Sequence, residues 1–337
     1  MVRTWCVVLA VGCGGTGVST PTPSTSPPAP LPPKPRTVSE AVPADASEAL
    51  QVDLANLRTA PTLARARGWL DLFPCLQRGN ARAMLADADR IGFASWGPEQ
   101  DFVGFIEQRA SERQTSPTEL LTTVLGVFGQ TPAGRPEEVT EGRHRRAEAA
   151  GLTAVKLGGR LLAIGTSGRV RRLLQGYDDP GNAAKPGYWQ QQPPSYRPDR
   201  GHLFNWTTPA LSEPHASAFA QLAGGAVAKA LLGAPFRLAV QAEPLETRLE
   251  AQLRYERDAR SVVERVRGRL RGAALIFRLL GLPLDKRVKT THKGATLHAN
   301  LALSGNETKR LMKFAEPTIP GAAERTCRAL VHMGLPR

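Results

Sequence analysis

Apolar and polar positions alternate most cleanly in the second half of the chain. In Phe236–Ala242, the side chains of Phe236, Leu238, Val240 and Ala242 fall on one side. In Glu246–Glu256, Leu249, Ala251, Leu253 and Tyr255 oppose Arg248, Glu250, Gln252 and Arg254. A period of two with one apolar side predicts a hairpin whose sheet is buried on one face and wet on the other. Ala259, Val262, Val263, Val266, Leu270 and Phe277 then recur at helical spacing, predicting a helix over Arg257–Leu280 that packs on that sheet. Before these stand a strand at His202–Thr207 and an Ala-rich helix at Ala216–Leu232. After them come strands at Lys286–His292 and Ala295–Leu303 around Lys293-Gly294. Ser304-Gly305-Asn306-Glu307 has the spacing of a capping box and opens a helix to Ala315.

The first half carries the same alphabet of elements. A strand is predicted at Glu48–Asp53, a helix from Pro61 to Phe73, a short helix over Asn80–Ala88, and a hairpin from Arg90–Trp96 and Asp101–Gln108. Ser116-Pro117-Thr118-Glu119 is a second capping box, with proline at the first helical position, for a helix to Phe128. Glu138–Ala147, Leu152–Leu157 and Arg160–Gly165 read as strands, the last two turning at Gly158-Gly159, and Ser167–Tyr177 reads as a helix. The expected fold class is therefore α+β: two tandem, similarly ordered units of antiparallel sheet with helices packed on one face. The units span residues 46–177 and 201–316, joined by a Pro/Gly/Gln-rich linker loop at 178–200. A tail at 317–337 follows, with a last helix over Gly321–Met333. In the linker, Tyr188, Trp189 and Tyr196 either offer stacking surfaces or anchor the loop to the body.

The N-terminus has a different texture. Arg3 precedes the short apolar run Trp5–Val11, closed by Gly12, Cys13, Gly14 and Gly15, the order of a signal peptide and too short a run to span a bilayer. Leu9-Ala10-Val11-Gly12-Cys13 resembles the lipobox of bacterial lipoproteins, with leucine one position earlier than that family places it. The resemblance covers the signal alone. It implies removal of residues 1–12, lipidation of Cys13, and attachment to the membrane through that lipid. Residues 13–45, rich in Pro, Ser and Thr, have little to bury and form an extended tether. Gly14 rather than Asp after the cysteine implies the outer membrane, facing the periplasm or the surface. An ordinary signal peptide would instead leave a soluble periplasmic protein. A Pro-rich tether carrying an α+β body also resembles bacterial lipoproteins from high-GC genomes.

Of four cysteines, Cys6 leaves with the signal and Cys13 is the lipid site, so Cys75 and Cys327 remain as a possible disulfide in an oxidising compartment. The net charge of +14 points to an anionic partner, such as a glycan or lipopolysaccharide, and an envelope protein is the other partner class. Arg257, Arg260, Arg267 and Arg271 form one stripe of the predicted long helix. They are a possible anion-binding surface, or a solvated face paired internally by Glu264. Arg143, His144, Arg145 and Arg146 sit on a predicted strand, where charge blunts an exposed edge. His292 and His298 flank one hairpin without a carboxylate or thiolate at ligand spacing, so no metal site and no cofactor are expected. No HExxH, GxSxG or phosphate-binding glycine loop occurs in the body, and no nucleic-acid-binding motif. The reading that follows is a non-enzymatic, membrane-anchored envelope protein with a binding or assembly role. A periplasmic hydrolase whose site is assembled from distant residues, and a binder of anionic envelope polymers, are its alternatives.

Overall fold

Each half begins with a strand, one starting at Glu48 and the other at His202, and these two lie side by side at the middle of the sheet. The computed structural model describes residues 35–96, 101–110, 114–131, 134, 136–179, 187–192, 194, 197–198, 202–210, 233–254, 264, 268, 278, 281–283 and 287–333. In chain order, α1 (Val38–Ala41) and β1 (Glu48–Asp53) lead into α2 (Leu54–Thr59), 3-10 helices at Pro61–Leu72 and Pro74–Gln77, and α3 (Ala81–Ala86). Then follow β2 (Ala88–Ser95), β3 (Phe102–Gln108), α4 (Pro117–Val127), β4 (Glu138–Glu141), β5 (His144–Ala149), β6 (Leu152–Gly158), β7 (Leu161–Thr166) and α5 (Ser167–Asp178). The short α6 (Tyr188–Gln191) precedes β8 (His202–Thr208), β9 (Phe236–Ala242), β10 (Glu246–Arg254), β11 (Val288–Lys293) and β12 (Thr296–Ser304). The chain closes with α7 (Gly305–Ala315), a 3-10 turn at Glu316–Thr318 and α8 (Ile319–Met333).

Among the described residues, the strands form one antiparallel sheet in the order β11-β12-β10-β9-β8-β1-β2-β3-β7-β6-β5-β4. The fold is α+β, as the alternating strands and capped helices predict. The two expected sheets are one, because β1 pairs with β8 in the register Ala49↔Thr207, Leu50↔Trp206, Gln51↔Asn205 and Val52↔Phe204. Away from this seam the strands run β1-β2-β3-β7-β6-β5-β4 on one side and β8-β9-β10-β12-β11 on the other, the same order over five strands with β5 and β4 added to the first.

In the first half, helices cover both faces rather than one. Along β7, Leu161 and Ala163 enter one core with Val103, Phe105, Val155 and Leu157, under α1, α5 and α6. The alternate residues Leu162 and Ile164 enter a second core with Leu152 and Ala154, under Leu120, Leu121 and Leu125 of α4. Every residue of β7 is buried, the signature of a strand with apolar cover on both sides. In the second half the predicted one-sided alternation on β9 and β10 is not seen: Arg237, Ala239 and Gln252 on the expected wet side are buried, while Leu238, Val240, Ala242 and Leu249 on the expected apolar side are half-buried. Met312 of α7 packs with Ala60, just before the first 3-10 helix, and with Leu63 and Trp69 of that helix, beside Leu203 and Ala242.

The α1 segment lies flat on the sheet because Gly92 leaves room for it; a Cβ there would stand 2.3 Å from Val38 Cγ1. Its ends are held from three directions. Val38 N–H donates to Glu107 Oε2 (3.3 Å), Tyr177 O–H donates to the Ala41 carbonyl (2.5 Å), and Tyr188 N–H donates to the Val42 carbonyl (3.1 Å). Tyr188 and Trp189 are thus anchors, 3% and 2% exposed, and part of the predicted linker is a buried helical turn. The predicted strand 138–147 is two strands, because Gly142 takes φ +57° and reverses the chain. The helices predicted at 216–232 and 257–280 lie outside the described residues, apart from Glu264, Gly268 and Arg278.

Candidate functional site

Between β1 and β2 the chain leaves the sheet in four short helical pieces, and their apolar sides do not all meet the sheet. Asp53 caps α2, accepting from Asn56 N–H (2.8 Å), and Pro61 and Pro74 start the two 3-10 helices where a missing N–H costs nothing. Three of the pieces have six residues or fewer, and the longest is a 3-10 helix of 12. Leu54 and Leu57 of α2, Leu70 and Leu76 of the 3-10 helices, and Leu85 of α3 converge on a cleft of about 230 Å³ instead of closing on one another. Leu57, Leu70, Leu76 and Leu85 are only half-buried.

Charged groups complete the lining: Arg58, Arg67, Arg82 and Asp71. Arg58 is committed to the protein. Its Nη1 donates to the carbonyls of Ala88 (2.8 Å) and Ala86 (3.2 Å), and its Nη2 lies 3.3 Å from Asp89 Oδ1. Burial and the neighbouring Arg109 draw its pKa below the ordinary arginine value, against Asp89, Asp53 and Asp87. Arg82 Nε pairs with Asp71 Oδ1 at 2.9 Å. Arg67 donates through Nη2 to the Ala60 carbonyl (3.0 Å) and, among the described residues, forms no ion pair. The cleft thus joins a leucine floor to one guanidinium with donors to spare.

Beside the cleft, Cys75 and Cys327 form a disulfide with Cα atoms 5.4 Å apart across 252 residues of sequence, fastening α8 to the second 3-10 helix. Arg65 adds an ion pair to Glu316 (2.8 Å). Cys13 and the stripe Arg257, Arg260, Arg267 and Arg271 lie outside the described residues. The basic run on β5 is tied internally and is not at the edge, which is β4. Arg145 pairs with Glu138 (2.5 Å), Arg146 with Glu141 (2.6 Å), and Arg143 with Asp178 (2.6 Å). His292 pairs with Leu297 and His298 with Thr291, so the two imidazoles point to opposite faces of the β11–β12 hairpin. Among the described residues, no group of three His, Cys, Asp or Glu side chains is placed to hold a metal ion.

One histidine does meet a carboxylate. His144, 2% exposed, places Nε2 3.1 Å from Asp178 Oδ1. Burial works against the charge on Asp178, but bonds from His144 and Arg143 outweigh it and hold the carboxyl below its ordinary range. The other ring nitrogen, Nδ1, is buried with no hydrogen-bond partner among the described residues.

A polar network lies on β8–β10 and β12: Arg237 Nε donates to Asn205 Oδ1 (3.2 Å), its Nη1 stands 3.6 Å from Glu250 Oε2, and Asn300 Nδ2 donates to Glu250 Oε1 (3.4 Å). It was not foreseen, although alternate positions of β9 and β10 that are polar in sequence supply it.

No family model matches the chain, and no curated protein sequence is significantly similar to it. Solved structures of TP0453 resemble it in overall course. Crystal form III aligns at 12% identity and a TM-score of 0.47, covering 82% of this chain and 97% of that one. Crystal form I aligns at 10% identity and 0.46, covering 85% and 97%, and crystal form IV at 12% and 0.46, covering 81% and 95%.

Proposed function

We propose that this chain is a cell-envelope lipoprotein, held at the membrane by a lipid on Cys13, whose body binds a ligand rather than transforming one. The cleft carries the reading. Its lining is five leucines, an alanine, three arginines and an aspartate, a set that desolvates an apolar group and holds a charge, with its one carboxylate, Asp71, engaged by Arg82 at 2.9 Å. Among the described residues no helix is long and apolar enough to cross a membrane, so the anchor is assigned to the Gly12-Cys13 motif. The disulfide beside the cleft suits an oxidising compartment outside the cytoplasm. The corresponding strand orders on the two sides of the β1–β8 seam support tandem units, fused through their first strands.

Fractionation of cells producing wild type and Cys13→Ala tests the anchor. Wild type partitions with the outer membrane and Cys13→Ala with soluble or precursor fractions; identical partitioning of the two overturns it.

A further inference from the structure

We infer that the cleft binds a single-chain anionic amphiphile, a free alkyl carboxylate, with the chain on the leucines and the carboxylate on Arg67. The inference rests on the binding reading above and names its ligand.

Size sets the first limit. At about 230 Å³, the cleft exceeds a cavity of about 150 Å³ that holds one benzene ring and falls short of the roughly 300–1,000 Å³ of sites for drug-sized molecules. One hydrocarbon chain fits and the paired chains of a membrane phospholipid do not. The walls set the second. They are helical pieces whose backbone groups bond within their own turns, so the site presents methyl groups and guanidinium donors and no strand edge on which a peptide backbone could pair.

Charge sets the third. Three guanidinium groups face one carboxylate in the lining, and two of the three are already engaged, Arg82 by Asp71 and Arg58 by Asp89 with two carbonyls. Arg67 is held in place through one nitrogen by the Ala60 carbonyl, which fixes the plane of its fork and leaves donors free. A planar fork of N–H groups matches a carboxylate in two parallel bonds. A cationic head would meet repulsion there, and a neutral head would forgo the pair.

Titration calorimetry of the purified full-length protein with decanoate, decanol and decyltrimethylammonium, all below their micelle concentrations, tests this. Decanoate is expected to bind about tenfold more tightly than decanol, the value of one charge-assisted hydrogen-bonded pair, and the ammonium most weakly. Arg67→Gln abolishes the preference for decanoate and leaves decanol unchanged, while Arg67→Lys keeps part of it. Leu70→Gln weakens decanoate and decanol alike. Equal affinity for decanoate and decanol, an undiminished preference in Arg67→Gln, or tighter binding of dioctanoyl phosphatidylglycerol than of decanoate overturns the carboxylate inference while the apolar cleft stands. Absence of binding by every chain removes the cleft reading as well.

Discussion

Ser304 and Glu307 show how two side chains settle where a strand ends and a helix begins. Ser304 Oγ accepts from Glu307 N–H (3.3 Å), and Glu307 Oε2 accepts from Ser304 N–H (2.8 Å), so two donors that the first turn of α7 cannot satisfy are satisfied reciprocally. Arg287 Nε adds a bond to Glu307 at 3.2 Å. Burial opposes the charge on this carboxyl, but the Ser304 groups and Arg287 together hold its pKa below the ordinary value. A carboxyl whose pKa is lower folded than unfolded contributes stability that is complete above the unfolded value. That contribution is lost as pH falls through the folded value. Glutamine keeps the capping geometry without the titration, so Glu307→Gln is expected to be less stable than wild type in urea at pH 7 by up to about 1 kcal/mol. The gap should close in acid, below the folded value. A gap that persists at low pH would contradict the assignment. Gly92 carries a second expectation. A Cβ 2.3 Å from Val38 Cγ1 must displace α1, so Gly92→Ala should cost about 1–3 kcal/mol. Val38→Ala in the same chain should recover part of that cost, read as a coupling energy in a double-mutant cycle.

Among elements, α8 depends most on a single bond. Its Cys327 is joined to the second 3-10 helix, and Ala323 is fully buried beside it. Replacing Cys327 with Ser should lower unfolding stability by about 2–5 kcal/mol and speed amide exchange in α8 before the sheet is affected; unchanged exchange there would show that packing alone holds the helix. The capped helices and the clean hairpins could be read from sequence, because their signals are local: Ser116 accepts from Glu119 N–H, although the Glu119 carboxylate accepts from Asn80 Nδ2 (2.8 Å), and β9 and β10 pair over the predicted span. The segment 61–72 was legible as helical but not as 3-10, because Pro61 and an apolar repeat fix a start and a face, not the pitch. The cover on both faces of β7 was legible only as the apolar run Leu161–Ile164, which fits a buried strand without saying what buries it. The cleft was not legible at all. Leu70 and Leu85 fall within the predicted helices at Pro61–Phe73 and Asn80–Ala88, Leu57 and Leu76 fall in no predicted element, and only the placement of four helical pieces brings them together on one cleft.

At the scale of the whole molecule, one sheet runs through both halves, with Trp206 Nε1 bonded to Glu48 and Asn205 paired with Gln51 across the seam. Neither half has a finished edge without the other. Unfolding should therefore be a single transition: tryptophan fluorescence and far-ultraviolet circular dichroism should give coincident urea midpoints, and two separated midpoints would show the halves to be independent. The seam also decides what a pull on the N-terminus meets. Residues before Val38 join the body through α1, which lies across the face of β2 and β3 and is fastened to Glu107, Tyr177 and Tyr188. A protein anchored by its N-terminus is loaded by drag whenever what it holds moves. Force entering through α1 is spread in shear over the middle of the sheet and into α5 and α6, whereas the same force on β4 or β11 would part the hydrogen bonds one at a time. Under the anchor proposed at Cys13, load would therefore enter the body through α1, and pulling the body free is expected to require the sheet to yield together.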